Sequence, residues 1–261
     1  MSDKKTVFFD IDGTIWDAKN EIPESTVTAI RKLRDNGHLV FLNSGRCRSY
    51  IFAEHLLDIG FDGIVSGCGT MIEVNGLVRF YHKLSAELAT STVTTVKKHG
   101  FLPILEGRYN LYMGSEFDDD PFGQKLRREM GDYILPIDKY WGEWEMSKLS
   151  CATEGADIDA CYKEIGDDFD FMIHNPSVVE IVPKGFNKGT GIEKVCELLD
   201  MDIADTVAFG DSANDLDMLD IAGVGVVMGS GSDEAKEHAD HVTSGLYEDG
   251  VKEGLLHLGL I

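Results

Sequence analysis

The stretch Lys5-Thr6-Val7-Phe8-Phe9-Asp10-Ile11-Asp12-Gly13-Thr14 decides the fold, because an apolar strand leads directly into a loop that carries two acids. Extended residues two positions apart point to the same side, and open α/β sheets bind ligands at the carboxyl ends of their strands. Two carboxylates this close repel each other unless a proton or a cation relieves them, and hard divalent ions take oxygen ligands of this kind. The stretch therefore predicts a cation-binding crevice. The plainer alternative is an Asp-Gly turn with incidental acids.

A second apolar segment, Leu39–Asn43, ends in Ser44-Gly45-Arg46. A hydroxyl, exposed backbone N–H groups and a guanidinium are suited to binding an anion such as phosphate. Residues 47–59 have a helical pattern, and the N-terminus of that predicted helix would add positive potential at the same place. A Ser-Gly turn with an arginine on the surface is the competing interpretation.

Lys188 comes just before the amphipathic stretch 192–199, and therefore at the entrance of a predicted helix. At such a position a lysine can reach a bound anion as a point charge. Most lysines at helix entrances are simply solvated, so both interpretations are open at this point.

The segment Thr206-Val207-Ala208-Phe209 is a further short apolar strand that leads into the acidic loop Gly210-Asp211-Ser212-Ala213-Asn214-Asp215. Asp211 is placed to bind a metal ion. Asp215 either binds or orients the ligands of that ion, or complements the dipole at the start of the following helix. Asn214 either donates its amide to a phosphoryl oxygen or caps that helix.

The order of the predicted elements indicates the fold class. Strands and helices alternate over the first part of the chain, at 6–9, 24–36, 39–43, 47–59 and 63–66. This alternation is typical of a parallel sheet. From about residue 77 short strands mix with helices, and the first pattern resumes after Pro183. We expect an α/β protein with a Rossmann-like, doubly wound parallel-sheet core and an inserted α+β cap domain, the core comprising residues 1–78 and 184–261 and the cap 79–183.

Composition argues against several partners. The formal charge of −22 over 261 residues disfavours binding to nucleic acid or to an anionic membrane. The five cysteines are scattered and lack metal-ligand spacing. No signal-peptide pattern precedes the first strand, and no apolar run approaches about 18 residues. The sequence therefore predicts a cytoplasmic protein, and we expect a monomer or a homodimer.

Together, the motifs resemble those of the haloacid dehalogenase superfamily of phosphatases, in the Cof-like type with a large α/β cap. They occur in the order typical of that family, at residues 10–14, 44–46, 188 and 210–215. The predicted cap lies between the second and third motifs, which defines the type. The resemblance covers nearly the whole chain, because the C-terminal segments 226–229, 239–243 and 248–251 also match, and four motifs in order are a specific signal.

The resemblance implies a mechanism. Asp10 would attack the phosphoryl group and form an aspartyl-phosphate, while Asp12 would protonate the leaving oxygen and then activate water. Mg²⁺ would be held by Asp10, the backbone carbonyl of Asp12 and Asp211, and would offset the repulsion between nucleophile and substrate. Asp215 would join this metal site. The residues implied at the phosphate are Thr14, Ser44, Gly45, Arg46, Lys188 and Asn214.

Other functions share part of this pattern. A sugar phosphomutase would use the same aspartyl-phosphate but return an isomeric phosphate. A response-regulator receiver also places acids and a lysine on a parallel sheet, but it has no cap-sized insert and no acid at the position of Asp12. A sensor of phosphorylated metabolites would not need Asp10 and Asp12 intact. For a phosphatase of the resembled type, the expected substrate is a small phosphorylated metabolite, such as a sugar phosphate.

Departures from the family pattern concern the substrate more than the reaction. Relatives commonly have Asn-Gly-Ala where this chain has Ser66-Gly67-Cys68, and Trp16 replaces a small aliphatic residue. An asparagine common in relatives is missing near Gly245. The candidate cap residues for contact with a substrate are polar residues in loops between predicted strands, namely Arg108, Tyr109, His174 and Asn175. The competing interpretation is that they are ordinary residues of surface loops.

Overall fold

The computed structural model describes residues 4–175 and 177–261, and the chain divides into two compact units. The first unit contains the chain up to Gly45, Phe52–Tyr81 and Asn187–Ile261. The second contains Arg46–Ile51 and His82–Phe186. The inserted unit thus begins at 82 and ends at 186, where the sequence suggested 79 and 183. It also includes the short segment Arg46–Ile51, which begins with the last residue of the second motif.

The first unit begins with alternating strands and helices. In chain order these are β1 (Thr6–Phe9), α1 (Glu24–Asp35), β2 (Leu39–Asn43), α2 (Glu54–Leu57), β3 (Gly63–Ser66), β4 (Met71–Val74) and β5 (Leu77–Tyr81). Every residue of β1 is buried, as expected for a strand covered on both faces in a parallel sheet. Helix α1 was predicted from the spacing of Val27, Ile30 and Leu33, and of these three residues the structure buries Ile30 and Leu33.

The second unit mixes short strands and helices. They are α3 (Ala86–Lys98), β6 (Leu102–Glu106), β7 (Leu111–Met113), α4 (Pro121–Met130), β8 (Ile134–Pro136), β9 (Lys148–Ala152), α5 (Ile158–Ile165), β10 (Phe169–Asn175) and β11 (Val178–Pro183). The strands form one sheet in the order β10-β11-β9-β6-β7-β8, antiparallel except where β7 and β8 pair. One apolar cluster joins this sheet to α3 and α5 through residues such as Val93, Leu149 and Cys161. The predicted α+β cap is confirmed.

The first unit resumes with its remaining elements, α6 (Lys188–Leu199), β12 (Thr206–Gly210), α7 (Leu216–Ile221), β13 (Val224–Val227), α8 (Asp233–Glu237), β14 (His241–Val242) and α9 (Gly250–His257). Its sheet has the strand order β14-β13-β12-β1-β2-β3-β4-β5. Strands β14 to β3 are parallel, which confirms the α/β fold class. In the described part of the chain, no helix is long and apolar enough to cross a membrane.

The edge of the first sheet differs from the sequence-based assignment. Strand β4 pairs antiparallel with β3, and β5 pairs antiparallel with β4. The segment Leu77–Tyr81, which we assigned to the cap from residue 79 onward, therefore extends the core sheet. The turn at Asn75 and Gly76, both with positive φ, makes a tight hairpin, and a strand that returns so soon has to pair with its neighbour.

The predicted helix over residues 47–59 is also corrected. Only a short 3₁₀ turn, Arg48–Tyr50, and α2 are helical there. Cys47 is buried in an apolar cluster with Ile104 and Leu111, and the Ser49 hydroxyl donates to the carbonyl of Gly107 at 2.9 Å. These contacts within the second unit override the local helical propensity. Within this described segment, therefore, no α-helix begins beside Ser44, and the predicted helix N-terminus there is wrong.

Candidate active site

The carboxyl ends of β1 and β12 bring the first and fourth motifs together. The two strands pair in parallel with Phe9 opposite Phe209. The backbone N–H of Asp10 continues that pairing and donates to the carbonyl of Phe209 at 2.9 Å. Asp10 and Asp211 therefore leave neighbouring strands at the same edge of the sheet, and Asp10 is almost fully buried there.

Lys188 lies inside this cluster of acids. Its ammonium group is 2.6 Å from Oδ1 of Asp10 and 2.6 Å from Oδ1 of Asp215, and only 2% of its surface is exposed. The alternative of a solvated lysine at a helix entrance is therefore wrong.

Two asparagines hold the start of α6, and with it Lys188, in place. The Asn187 side chain accepts from the backbone N–H of Thr190, whose hydroxyl in turn accepts from the backbone N–H of Asn187. The side-chain amide of Asn43 donates to the carbonyl of Lys188 at 2.9 Å. Sequence reasoning missed both asparagines. A polar residue at the end of the apolar strand β2 was the available signal for Asn43.

Asp215 fixes the acidic loop as well as the lysine. Its Oδ2 accepts from the backbone N–H groups of Asp211, at 2.9 Å, and Ser212, at 3.1 Å. Its Oδ1 accepts from Lys188. Asp215 is fully buried. Both carboxylate oxygens thus accept hydrogen bonds from the protein. This arrangement suits a residue that orients Lys188 and the acidic loop.

Asp211 packs against the glycine loop of the first motif. The Thr14 hydroxyl donates to its Oδ1 at 3.2 Å, so that hydroxyl has a partner within the protein. Gly13 has φ +89°, and a Cβ at this position would overlap the Asp211 carboxylate. Only glycine meets both conditions without strain.

The charges of the cluster are out of balance. Asp10, Asp211 and Asp215 each offer a carboxylate oxygen within 4.8 Å of the others, and Lys188 supplies one positive charge among them. Burial, opposed by Lys188 and reinforced by Asp215, raises the pKa of Asp10 well above its ordinary value. Burial also raises the pKa of Asp211 to about 7. Burial alone would lower the pKa of Lys188, but the paired carboxylates outweigh it and raise that pKa.

This donor set fits a hard divalent cation. All of the clustered ligand atoms are carboxylate oxygens, which Mg²⁺ and Ca²⁺ prefer. The side-chain-free face of Gly13 leaves the Asp211 carboxylate room beside the loop. Lys188 balances only one of the three carboxylate charges, and a bound cation would supply further positive charge.

Asp12 differs from Asp10 in its surroundings. Asp12 is exposed, whereas Asp10 is buried. Its Oδ1 accepts a hydrogen bond from the indole Nε1 of Trp16 at 2.8 Å. Sequence reasoning noted Trp16 as unusual but did not anticipate this contact.

The remaining predicted phosphate residues are less concentrated. Ser44 and Gly45 are buried at the end of β2, next to β1 in the sheet. Arg46 belongs to the second unit, where its guanidinium lies 4.5 Å from the centre of the Tyr50 ring. Asn214 is exposed, and its Oδ1 lies 2.8 Å from the Ser212 hydroxyl. The structure thus gathers the acids and Lys188 more tightly than these four.

The predicted substrate-facing residues of the cap are partly described. The backbone N–H groups of Arg108 and Tyr109 donate to Glu145 at 3.0 and 3.4 Å. The guanidinium of Arg108 stacks over the Tyr109 ring at 4.7 Å. The side chains of His174 and Asn175 lie outside the described part of the structure.

Fold and site together define an α/β enzyme with an acidic centre at the carboxyl edge of a parallel sheet. The model of the family described as haloacid dehalogenase-like hydrolase matches residues 7–255. The chain belongs to this family and is a hydrolase of its Cof-like type, which confirms the resemblance seen in the motifs.

Its relatives span both units. YkrA of Bacillus subtilis (strain 168), provisionally named a phosphatase, is 33% identical over 261 residues that cover 99% of each chain. A phosphoglycolate phosphatase of Methanosarcina acetivorans is 29% identical over 255 residues, 96% of this chain and 95% of its own. A crystal structure of a hypothetical protein from Geobacillus kaustophilus HTA426 has a TM-score of 0.83 at 28% identity, covering 99% of this chain and 100% of that one.

Proposed function

We propose that this protein is a Mg²⁺-dependent phosphatase that hydrolyses small phosphorylated metabolites through an aspartyl-phosphate on Asp10. The observation that carries the proposal is the buried Asp10 carboxylate, held 2.6 Å from Lys188 and clustered with Asp211 and Asp215. Burying charged groups costs free energy, and strongly perturbed carboxylates gathered at one place are typical of active sites.

The two acids of the first motif have different roles in this proposal. Asp10 is the nucleophile, because it is rigidly held between β1, β12 and Lys188. Asp12 is the general acid and base, because it is exposed and can reach a leaving group and then water. Lys188 favours the ionised form of the nucleophile against the effect of burial and offers positive charge to a phosphoryl oxygen. Ser44, Gly45, Thr14, Arg46 and Asn214 remain the residues we propose for the rest of the phosphate contacts.

Asp10, Asp211 and the backbone carbonyl of Asp12 would hold the Mg²⁺, and Asp215 would orient them through the loop that it caps. When bound, the ion supplies positive charge that offsets repulsion between a carboxylate nucleophile and an anionic phosphate. Gly13 and Thr14 keep the Asp211 carboxylate in position for that task.

The proposed substrate class is a small metabolite, with sugar phosphates as the first candidates. The phosphoglycolate phosphatase among the relatives supports a small phosphorylated substrate. The formal charge of −22 disfavours phosphorylated macromolecules such as nucleic acid. We keep the sequence-based proposals of a cytoplasmic location and of a monomer or homodimer.

The test is a phosphate-release screen over sugar, polyol, nucleotide and cofactor phosphates, with Mg²⁺ and with excess chelator. We expect release of inorganic phosphate from a subset of the small esters, and none in chelator. Recovery of an isomeric phosphate without inorganic phosphate would favour the mutase alternative. Binding of sugar phosphates without any turnover would favour the sensor.

A further inference from the structure

The exposed acid Asp12 is tied to a buried tryptophan. The indole Nε1 of Trp16 donates to Oδ1 of Asp12 at 2.8 Å. Only 2% of Trp16 is exposed, so the donor belongs to the core although the acceptor faces solvent. When Asp12 is ionised, this hydrogen bond has a charged acceptor, and such bonds are among the stronger ones in proteins.

The tryptophan is held in place by its own backbone. Residues Asp12 and Trp16 form an isolated β-bridge, and the backbone N–H of Gly13 donates to the carbonyl of Trp16 at 2.8 Å. The backbone N–H of Trp16 donates to the carbonyl of Ile11 at 3.1 Å. Main-chain hydrogen bonds therefore close the loop between the two residues and hold their backbones close together.

The ring has a further support from helix α2. It stacks on the imidazole of His55, with centres 5.8 Å apart and planes inclined by 29°. The Nε2 atom of His55 lies 2.9 Å from the carbonyl of Asn20. Because a carbonyl only accepts, Nε2 carries the proton in this contact. The histidine is thus anchored to the segment that follows Trp16.

We propose that Trp16 is a positioning residue for the reaction, holding the Asp12 carboxylate in the rotamer that serves both proton transfers. This inference rests on the proposed function, because it gives Asp12 that role. The side chain of an aspartate can adopt several rotamers, and a catalytic group that is misplaced by about 1 Å loses much of its effect. The indole N–H restricts this sampling without touching the substrate.

The test uses Trp16→Phe, which keeps an aromatic ring and removes the donor. The measurement is kcat/KM for a phosphate ester with an alkyl leaving group, divided by kcat/KM for p-nitrophenyl phosphate, because kcat/KM covers only the steps up to phosphoenzyme formation and excludes the hydrolysis step that both esters share. An alkoxide needs protonation more than a nitrophenolate does, so we expect this ratio to fall about 10-fold. A loss of folded protein would lower both rates alike and leave the ratio unchanged.

The chain offers a matched control in Trp144→Phe. Trp144 is also 2% exposed, and its Nε1 donates to the carbonyl of Ile137 at 2.9 Å, but it lies in the second unit. We expect its replacement to leave the ratio as in the unmodified protein. If Trp16→Phe does not fold, replacing Trp16 by 3-benzothienylalanine removes the N–H and preserves the bicyclic shape.

A double-mutant cycle decides whether Trp16 acts through Asp12. In the Asp12→Asn background, removing the indole N–H should change neither the ratio nor the rate of phosphoenzyme formation, because coupled residues are not additive. An unchanged ratio in Trp16→Phe, or an equal fall in both backgrounds, would overturn the inference. Failure of the proposed function would be recognised separately, since the unmodified protein would then release no phosphate.

Discussion

The Lys188 ammonium lies between Oδ1 of Asp10 and Oδ1 of Asp215, 2.6 Å from each, in the interior of the first unit. The one ammonium group therefore pairs with both the proposed nucleophile, Asp10, and Asp215, whose side chain holds the acidic loop in place. Removing one member of a buried ionic cluster leaves the others uncompensated. The same residue thus links stability of the core to chemistry at the site.

We expect Lys188→Met to lower the free energy of unfolding by about 3–5 kcal/mol at neutral pH, because two buried carboxylates lose their partner. Turnover should fall with it, since the pKa of Asp10 would rise further without the opposing charge of Lys188. Urea unfolding and initial rates measure both. Lys252→Met is the control, because Lys252 is partly exposed and pairs with Asp249 only at the surface. A similar small effect of both replacements would contradict the role assigned to Lys188.

Gly13→Ala tests the packing of the loop against Asp211. An added Cβ would overlap the Asp211 carboxylate, so we expect weaker divalent-ion binding and loss of turnover. Gly76→Ala is the matched control: it also has positive φ, at +74°, but no atom lies within 4 Å of the position that its Cβ would take. Both variants should lose about 1–2 kcal/mol of stability from the left-handed backbone. Only Gly13→Ala should lose the ion, as measured by calorimetric titration with Mg²⁺.

Mg²⁺ should stabilise the protein by binding among Asp10, Asp211 and the loop. At a free concentration of about 100 times Kd, the gain is about 2.7 kcal/mol, visible as a rise in Tm that chelator reverses. Asp211→Asn should lose most of this rise, and turnover with it. Asp220→Asn carries the same change of charge at an exposed position and should keep the rise. An equal rise in Tm for both variants would place the ion elsewhere.

Much of this architecture could be predicted because it depends on local patterns. The apolar run before Asp10 and the stripe on α1 report burial directly, so strand and helix were identified with little error. The motif order placed the acids at one edge of the sheet, since parallel strands end together. What the sequence could show was therefore the order of elements and the direction in which each one runs.

Contacts between distant segments could not be predicted in the same way. Nothing local to residues 47–51 indicates that Cys47 packs beside Ile104, so a continuous helix was the natural interpretation of that segment. The bond from Asn43 to the carbonyl of Lys188 joins residues far apart in the chain, and a single sequence carries no record of such a pair. Likewise, Lys188 could be placed at a helix entrance but not inside a charged cluster.

The cap illustrates a further limit. Its short edge strand β8 contains only Ile134–Pro136, too few residues for periodicity to distinguish it from a loop. Asp120, the last residue of an acidic run, caps α4 by accepting from the backbone N–H of Gly123 at 2.7 Å. A capping role depends on where the helix starts, which composition alone does not reveal.

In the proposed reaction Asp10 carries the phosphoryl group and Asp12 moves the protons. We expect Asp10→Asn to abolish turnover, because an amide is not a nucleophile at this centre. Asp12→Asn should lose about 10²- to 10⁴-fold in turnover through loss of general acid–base catalysis. With an activated leaving group, Asp12→Asn should still form the phosphoenzyme but fail to hydrolyse it.

Rapid quench of Asp12→Asn with p-nitrophenyl phosphate and Mg²⁺, followed by intact-protein and peptide mass spectrometry, separates these two roles. We expect one added phosphoryl group, located on Asp10 and absent from the Asp10→Asn, Asp12→Asn double variant. A phosphoryl group on any other residue, or full activity of Asp10→Asn, would show that Asp10 is not the nucleophile.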